Sequence, residues 1–135
     1  MVKLRLFKWL LLMAATIPDG GLVGIATALV RAAYYYIELG TSSTAENVNQ
    51  TALIAAITTG GMIRTVATAT YEATAKTVLQ ATIGPASSAF SNIRETAVLD
   101  NSSGGNMIIR HVWAADRAVS IGDSMQITHK ITASR

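Results

Sequence analysis

The feature that most constrains this chain is a polar turn between two apolar runs. Residues 91–110 read SNIRETAVLDNSSGGNMIIR, in which one apolar run stops at Asp100 and the next begins at Met107. The polar residues between them include Gly104 and Gly105, and glycine readily adopts the positive φ angles that tight turns require. This arrangement predicts a β-hairpin whose turn begins at Asp100.

The rest of the chain is divided into short segments of the same kind. Between Met125 and Ala133 apolar residues alternate with polar ones, as in a strand with one buried face. Gly122 and Asp123 form the turn before that strand. Further strands are predicted at 34–39, at 89–99, at 107–113, and as two strands within 62–83 that are separated by a turn inside 72–76. Residues 51–58 are equally compatible with helix and strand, and residues 114–124 are predicted to be a connector.

An earlier segment has a different period. Leu22, Ile25 and Leu29 recur at helical spacing in an alanine-rich stretch, which predicts a helix at about residues 22–33. The chain therefore reads as a mainly β protein, an antiparallel sandwich or barrel-like domain with one N-terminal helix and an extended N-terminal arm. Its 135 residues suit one core, so we expect an arm at 1–21 and a single β-rich domain at 22–135.

The first residues, MVKLRLFKWLLLMAATIPDG, allow two interpretations. A basic start, a short apolar stretch and small residues near Ala14 are typical of a secretory signal peptide. Alternation of apolar and basic residues from Val2 to Leu6 instead indicates an extended arm that lies on a neighbouring subunit. We expect the arm, with the leader as its alternative. The apolar side chains predicted to contact the neighbour are those of Leu4, Leu6, Phe7, Trp9 and Leu10.

The composition suggests a surface that is partly covered in use. Charged residues make up 14% of the chain, against about 25% in typical soluble proteins. Sister subunits, a larger assembly or a membrane would each cover such a surface. The net charge of +3 comes from scattered basic residues, which is not the pattern of a nucleic-acid interface. Because cysteine is absent, disulfides and thiolate metal sites are excluded.

The reactive side chains form no recognisable catalytic pattern. His111 and His129, the two histidines, each fall on a predicted strand without an obvious partner. The serines lack a G-x-S-x-G elbow, and the carboxylates form no close pair suited to acid–base or metal chemistry. We therefore predict no enzyme activity, no metal site and no cofactor.

The aromatic run Tyr34-Tyr35-Tyr36 is the remaining candidate for binding. On a strand, Tyr34 and Tyr36 would share one face and Tyr35 the other. Such rings can stack on bases or sugars. Tyrosine is also enriched at protein interfaces, and we expect packing at a subunit interface or under a helix.

Three stretches within residues 34–135 carry a further signal, namely YYYIELGTSSTAENVNQTAL, IRETAVLDNSSGGNMIIR and VSIGDSMQITHKITAS. Together they resemble a family of small virion structural proteins of tailed bacteriophages. The matching positions are Ile93, Glu95, Asp100, Gly104, Gly105, Met107, Arg110, Gly122, Asp123 and Ser124. The family has glycine where this chain has Ala97, and its Leu-Phe pair falls on Val98-Leu99. The resemblance implies a role as a head decoration, tail or fibre component.

These observations lead us to expect a capsid decoration or cement protein located in the virion. It would associate with copies of itself and with the major capsid protein, and it would bind neither nucleic acid nor membrane. A tail, baseplate or fibre component is the first alternative. A secreted adhesion or sugar-binding module with a signal peptide is an alternative of another class.

Overall fold

The computed structural model describes residues 35–72 and 76–132, which form six antiparallel strands in a nearly closed, barrel-like sheet. The strands are β1 (Tyr35–Gly40), β2 (Thr65–Glu72), β3 (Lys76–Ile83), β4 (Phe90–Leu99), β5 (Met107–Val119) and β6 (Met125–Thr132). Their order across the sheet is β5-β4-β1-β2-β3-β6. The first strand in sequence therefore lies near the middle, and β5 and β6 are the two edges.

The mainly β, antiparallel, barrel-like prediction is confirmed, and the described part of the chain contains no helix. The predicted helix at 22–33 and the arm at 1–21 lie outside the described residues, as does Tyr34. Two strands do occur within 62–83, and β2 ends at Glu72 while β3 begins at Lys76.

Two segments differ from the sequence prediction. Residues 114–119 belong to β5 and not to a connector. Their alternation is lost because β4 advances by two residues, from Glu95 to Ile93, while β5 advances by five, from Val112 to Arg117. This is a large β-bulge. Residues 51–58 form neither a helix nor a regular strand, and one isolated bridge between Gly40 and Ala56 joins them to the sheet.

The core has two parts, because β1 and β4 are buried on both faces. The larger part fills the interior of the barrel and contains Ile37, Leu39, Leu79, Ile83 and Ile93, among others. Fully burying a side chain of this size contributes about 1.5–3 kcal/mol. The smaller part lies on the outer face of the sheet, where Leu53 packs on Ala97 and Leu99, with Met107 beside them. The loop between β1 and β2 is thus a cover for the outer face.

Gly40 marks the place where this loop leaves the sheet. A Cβ atom on Gly40 would lie 2.7 Å from the backbone oxygen of Ala55 and 2.7 Å from the Glu95 Cγ, and closer still to the Glu95 Oε1. Real Cβ contacts are not that close, so the approach of the loop requires a residue without a side chain. The glycine therefore allows residues 54–55 to reach a carboxylate buried beneath them.

Candidate functional site

The outer face of the sheet is built around an ion pair between Glu95 of β4 and Arg110 of β5. The Arg110 Nη2 lies 2.8 Å from the Glu95 Oε2, and the Arg110 Nε donates to the same oxygen at 2.9 Å. The side chains are 0% exposed at Glu95 and 4% exposed at Arg110. Because the arginine holds a single carboxylate oxygen, the other oxygen is left to accept hydrogen bonds from elsewhere.

Those further hydrogen bonds fasten the β1–β2 loop to the sheet. The Glu95 Oε1 accepts from the backbone N–H of Ala55 at 2.9 Å. Arg110 in turn donates to the backbone oxygen of Thr44 and to the Gln50 side-chain oxygen, both at 2.9 Å. One buried ion pair therefore holds the loop at several points between residues 42 and 55.

A second ion pair fastens the β4–β5 turn in the same manner. Arg64 makes a two-pronged contact with Glu38, with the Nη2–Oε2 distance at 3.0 Å and the Nε–Oε1 distance at 3.2 Å. The remaining Arg64 nitrogen donates to the backbone oxygens of Asn101 and Gly104 at 3.0 and 2.9 Å. The turn is consequently anchored to β1 and to the residue preceding β2.

The turn also carries its own internal hydrogen bonds. The Asp100 carboxylate accepts from the side chain and the backbone N–H of Asn106, and these bonds lower the pKa of Asp100. Gly104 and Gly105 have φ angles of 62° and 81°, and Gly122 has 90° in the turn before β6. Glycines stand where these turns need positive φ.

Between the edge strands β5 and β6 the barrel stays open, and the gap forms a cleft of about 430 Å³. The cleft is lined by Thr96 of β4, by three residues of β5 and by consecutive residues of β6. Its volume is within the range of small-molecule sites. We call it the seam cleft. Its lining residues are Thr96, His111, Trp113, Arg117 and residues 125–129.

Both histidines of the chain line the seam cleft. The His129 Nε2 lies 3.3 Å from the Thr96 Oγ1, which is directly opposite His111 in the β4–β5 register. Burial lowers the pKa of His129, and repulsion by His111 lowers it further. The sequence alone indicates no partner for either ring. The two histidines come close to each other because the curvature of the sheet brings β5 and β6 together.

Trp113 forms the apolar wall of the seam cleft and orients its neighbours. The guanidinium carbon of Arg117 lies 5.7 Å from the Trp113 ring centroid, within the range of a cation–π contact. The rings of His111 and Trp113 meet edge to face, with centroids 6.2 Å apart. Two nitrogen-bearing side chains are thus held against one indole in the lining of the cleft.

Side chains from other segments occupy backbone groups along much of the β5 edge. Glu46 of the β1–β2 loop accepts a hydrogen bond from the backbone N–H of Val112 at 2.8 Å and contacts the His111 Nδ1 at 3.2 Å. Farther along, Arg94 donates to the backbone oxygens of Trp113 and Ala114, each at 2.8 Å. These bonds give two carbonyl groups of the bulge a hydrogen-bond partner. Arg94 also pairs with Asp116 and not with its neighbour Glu95, because adjacent strand residues point to opposite faces.

The predicted interface residues are distributed unevenly. Tyr35 lies in the core, 6% exposed, and Tyr36 is half-buried on the opposite face of β1. Tyr34 and the arm residues Leu4, Leu6, Phe7, Trp9 and Leu10 lie outside the described residues. The structure therefore assigns Tyr35 to the barrel interior, and the interface at the other positions stays a prediction.

Neither metal ligands nor membrane spans are found in the described ranges. Residues 35–72 and 76–132 contain no group of three or more His, Asp or Glu side chains that could hold a metal ion. They likewise contain no helix long and apolar enough to cross a membrane. No buried side-chain nitrogen or oxygen in this part of the chain lacks a hydrogen-bond partner.

No protein-family model matches this chain, and no curated protein is significantly similar to it.

Proposed function

We propose that this chain is a structural subunit of a tailed-phage virion that decorates and stabilises the head shell. The observation that carries the proposal is how the polar and apolar side chains are used. The two most buried ion pairs, Glu95–Arg110 and Glu38–Arg64, hold the domain's own loops, whereas large apolar side chains face outward. Val48 is 100% exposed and Val66 is 57% exposed. Such a surface suits an assembly subunit.

The sequence resemblance supports the same role. Two of its matching positions, Glu95 and Arg110, form the buried pair that fixes the loop, and Gly104 and Gly105 form the anchored turn. A rigid domain with fastened loops keeps its contact surfaces in one arrangement. Repeated binding to a symmetric shell requires that property, because each copy must present the same surface.

The arm is the second part of the proposal. Burying its apolar side chains on a neighbouring subunit would contribute on the order of 5–10 kcal/mol in gross terms, and ordering a flexible segment would offset a large part of that. Lys3, Arg5 and Lys8 would add attraction to an acidic surface that weakens with salt.

The test is reconstitution of particles that lack the chain. Full-length protein should bind such particles and raise their heat resistance, and a form without residues 1–17 should bind more weakly. Val48→Ser should also reduce occupancy, with Ser102→Ala, an exposed change in the β4–β5 turn, as the matched control. Equal occupancy and equal protection by all four proteins would contradict the proposal. If labelled full-length protein bound to the tail of the particle instead of the head, that result would favour the tail, baseplate or fibre alternative.

The adhesion alternative loses part of its support in the structure. It relied on a surface of three tyrosines, and Tyr35 lies in the core. A mature chain shortened near Ala15 would support that alternative, and mass spectrometry of the secreted or particle-bound protein would detect it.

A further inference from the structure

The two edges of the barrel-like sheet differ in how they are protected. Natural sheets blunt their edges with bulges, charges and covering loops, because a regular free edge pairs with other strands. On β5 the bulge between Val112 and Arg117 interrupts the ladder, and Glu46 occupies the N–H of Val112. That edge is poorly suited to accept another strand.

The edge formed by β6 is regular. All eight residues from Met125 to Thr132 pair with β3 in an unbroken register, and β3 is the only strand in the described part of the chain that pairs with β6. The strand has no proline and no bulge, and its single Lys or Arg residue is Lys130. Its other side borders the seam cleft. Backbone donors and acceptors are therefore in place for an added strand.

The charges that line the seam cleft indicate which charge an added strand should carry. His111, His129 and Arg117 line it, and within residues 35–72 and 76–132 Arg117 forms no ion pair. The nearby carboxylate of Asp116 is engaged by Arg94. Glu46 at the β5 edge already contacts Val112 and His111. The uncompensated positive charge in the cleft is therefore that of Arg117, and an acidic segment complements it.

The apolar lining adds a second requirement. Ile127 and Trp113 border the seam cleft beside the charged groups. A strand that presents side chains alternately can place apolar residues toward Ile127 while carboxylates reach Arg117. The chain's own N-terminal arm has the alternation but carries Lys3 and Arg5, so its charge is wrong for this cleft.

We infer that the free edge of β6 binds an extended, acidic segment of a partner protein by strand addition, with Arg117 facing its carboxylates. The partner need not be a virion protein for this site to exist. Failure of particle reconstitution would therefore leave the site untouched, and failure of peptide binding would leave the decoration role untouched.

The experiment is calorimetric titration of the full chain with three synthetic seven-residue peptides. The first alternates valine and glutamate, the second has glutamine at each glutamate position, and the third is the first with alternate backbone nitrogens methylated. We expect the acidic peptide to bind and the glutamine peptide to bind about tenfold more weakly, because the neutral peptide loses the charge-assisted hydrogen bonds to Arg117. Methylation should weaken binding similarly, because it removes ladder hydrogen bonds.

Two variants locate the binding. Arg117→Gln should weaken the acidic peptide about tenfold. Lys76→Gln removes a cation of β3 that does not line the cleft, so it should leave the affinity unchanged. Thermal melting of both variants confirms that they are folded. A fourth peptide, which copies residues 2–8, tests the chain's own arm as the occupant. No binding by the acidic peptide, equal binding by the first three peptides, tighter binding by the fourth, or equal loss in both variants would overturn the inference.

Discussion

Arg110 and Glu95 meet on the outer face of the sheet with almost no exposure to solvent, and between them they hold residues 42–55 in place. Neither side chain has a free position for other chemistry, because Arg110 donates to two further backbone oxygens and one side-chain oxygen. The pair is best understood as the fastening of a loop whose outer surface is then available for contacts.

Arg110→Met should destabilise the domain by about 3–5 kcal/mol. The substitution leaves the Glu95 charge buried without its partner, and that cost is characteristic of broken buried pairs. Urea unfolding followed by fluorescence measures the change. Lys130→Gln is the matched control, because it breaks an exposed ion pair with Glu72 and should shift the free energy of unfolding by less than about 1 kcal/mol. Equal effects would show that the Glu95 site is solvated.

Gly40→Ala should lower the free energy of unfolding by about 1–3 kcal/mol, since the new methyl group would overlap the Ala55 backbone oxygen. The loop would have to move away from Glu95. Hydrogen exchange should therefore show faster exchange at Ala55, which donates to the Glu95 Oε1, and little change at residues of β3. Gly122→Ala tests a different cause, because a Cβ atom there meets nothing within 4 Å and only its φ of 90° is strained.

A short Gly-Ser insertion after Ser102 should leave the domain folded but less stable. The inserted residues fall between Asn101 and Gly104, whose backbone oxygens both accept from Arg64. Loss of these two bonds should cost about 1–3 kcal/mol. In an Arg64→Gln background the same insertion should cost much less. An insertion that prevents folding would show that the turn is more than an anchored connection.

The stability of the domain should fall as the pH drops below about 6.5 through the contribution of His129. Burial and repulsion by His111 lower the pKa of His129 from its ordinary value of 6.5 in the folded state. The unfolded chain therefore binds the proton first, so acidification below 6.5 favours unfolding until the folded pKa is also passed. His129→Gln should reduce the loss of melting temperature between pH 7.5 and pH 5.5. An unchanged loss would place the titrating group elsewhere.

The strands follow from the sequence wherever local patterns decide the structure. The alternation of apolar and polar residues predicts β6, and the turn-forming residues predict the turns at Asp100 and Gly122. The end of β5 could not be predicted, because the bulge near Val112 removes the alternation on which strand prediction depends. Arg94 donates hydrogen bonds to two backbone oxygens of that bulge, but in the sequence it is indistinguishable from an ordinary surface charge.

The site residues were harder to predict for a related reason. Glu95 resembles a solvated strand residue until the loop from β1 covers it, and nothing local signals the cover. His111 and His129 are brought to one cleft only when the two edge strands approach each other. The sequence identifies these side chains as candidate site residues, but the groups that they contact depend on closure of the sheet.

The reach of Arg110 has a kinetic consequence. It contacts Thr44 across 66 residues of chain, whereas its partner Glu95 is only 15 residues away. The β4–β5 hairpin can therefore form early, and the loop can dock only after β1 has joined it, since distant contacts require more loop closure. We expect the Arg110 fastening to be absent from the folding transition state. Its removal should then speed unfolding and leave the folding rate nearly unchanged, which makes the fastening a determinant of how long the native domain survives.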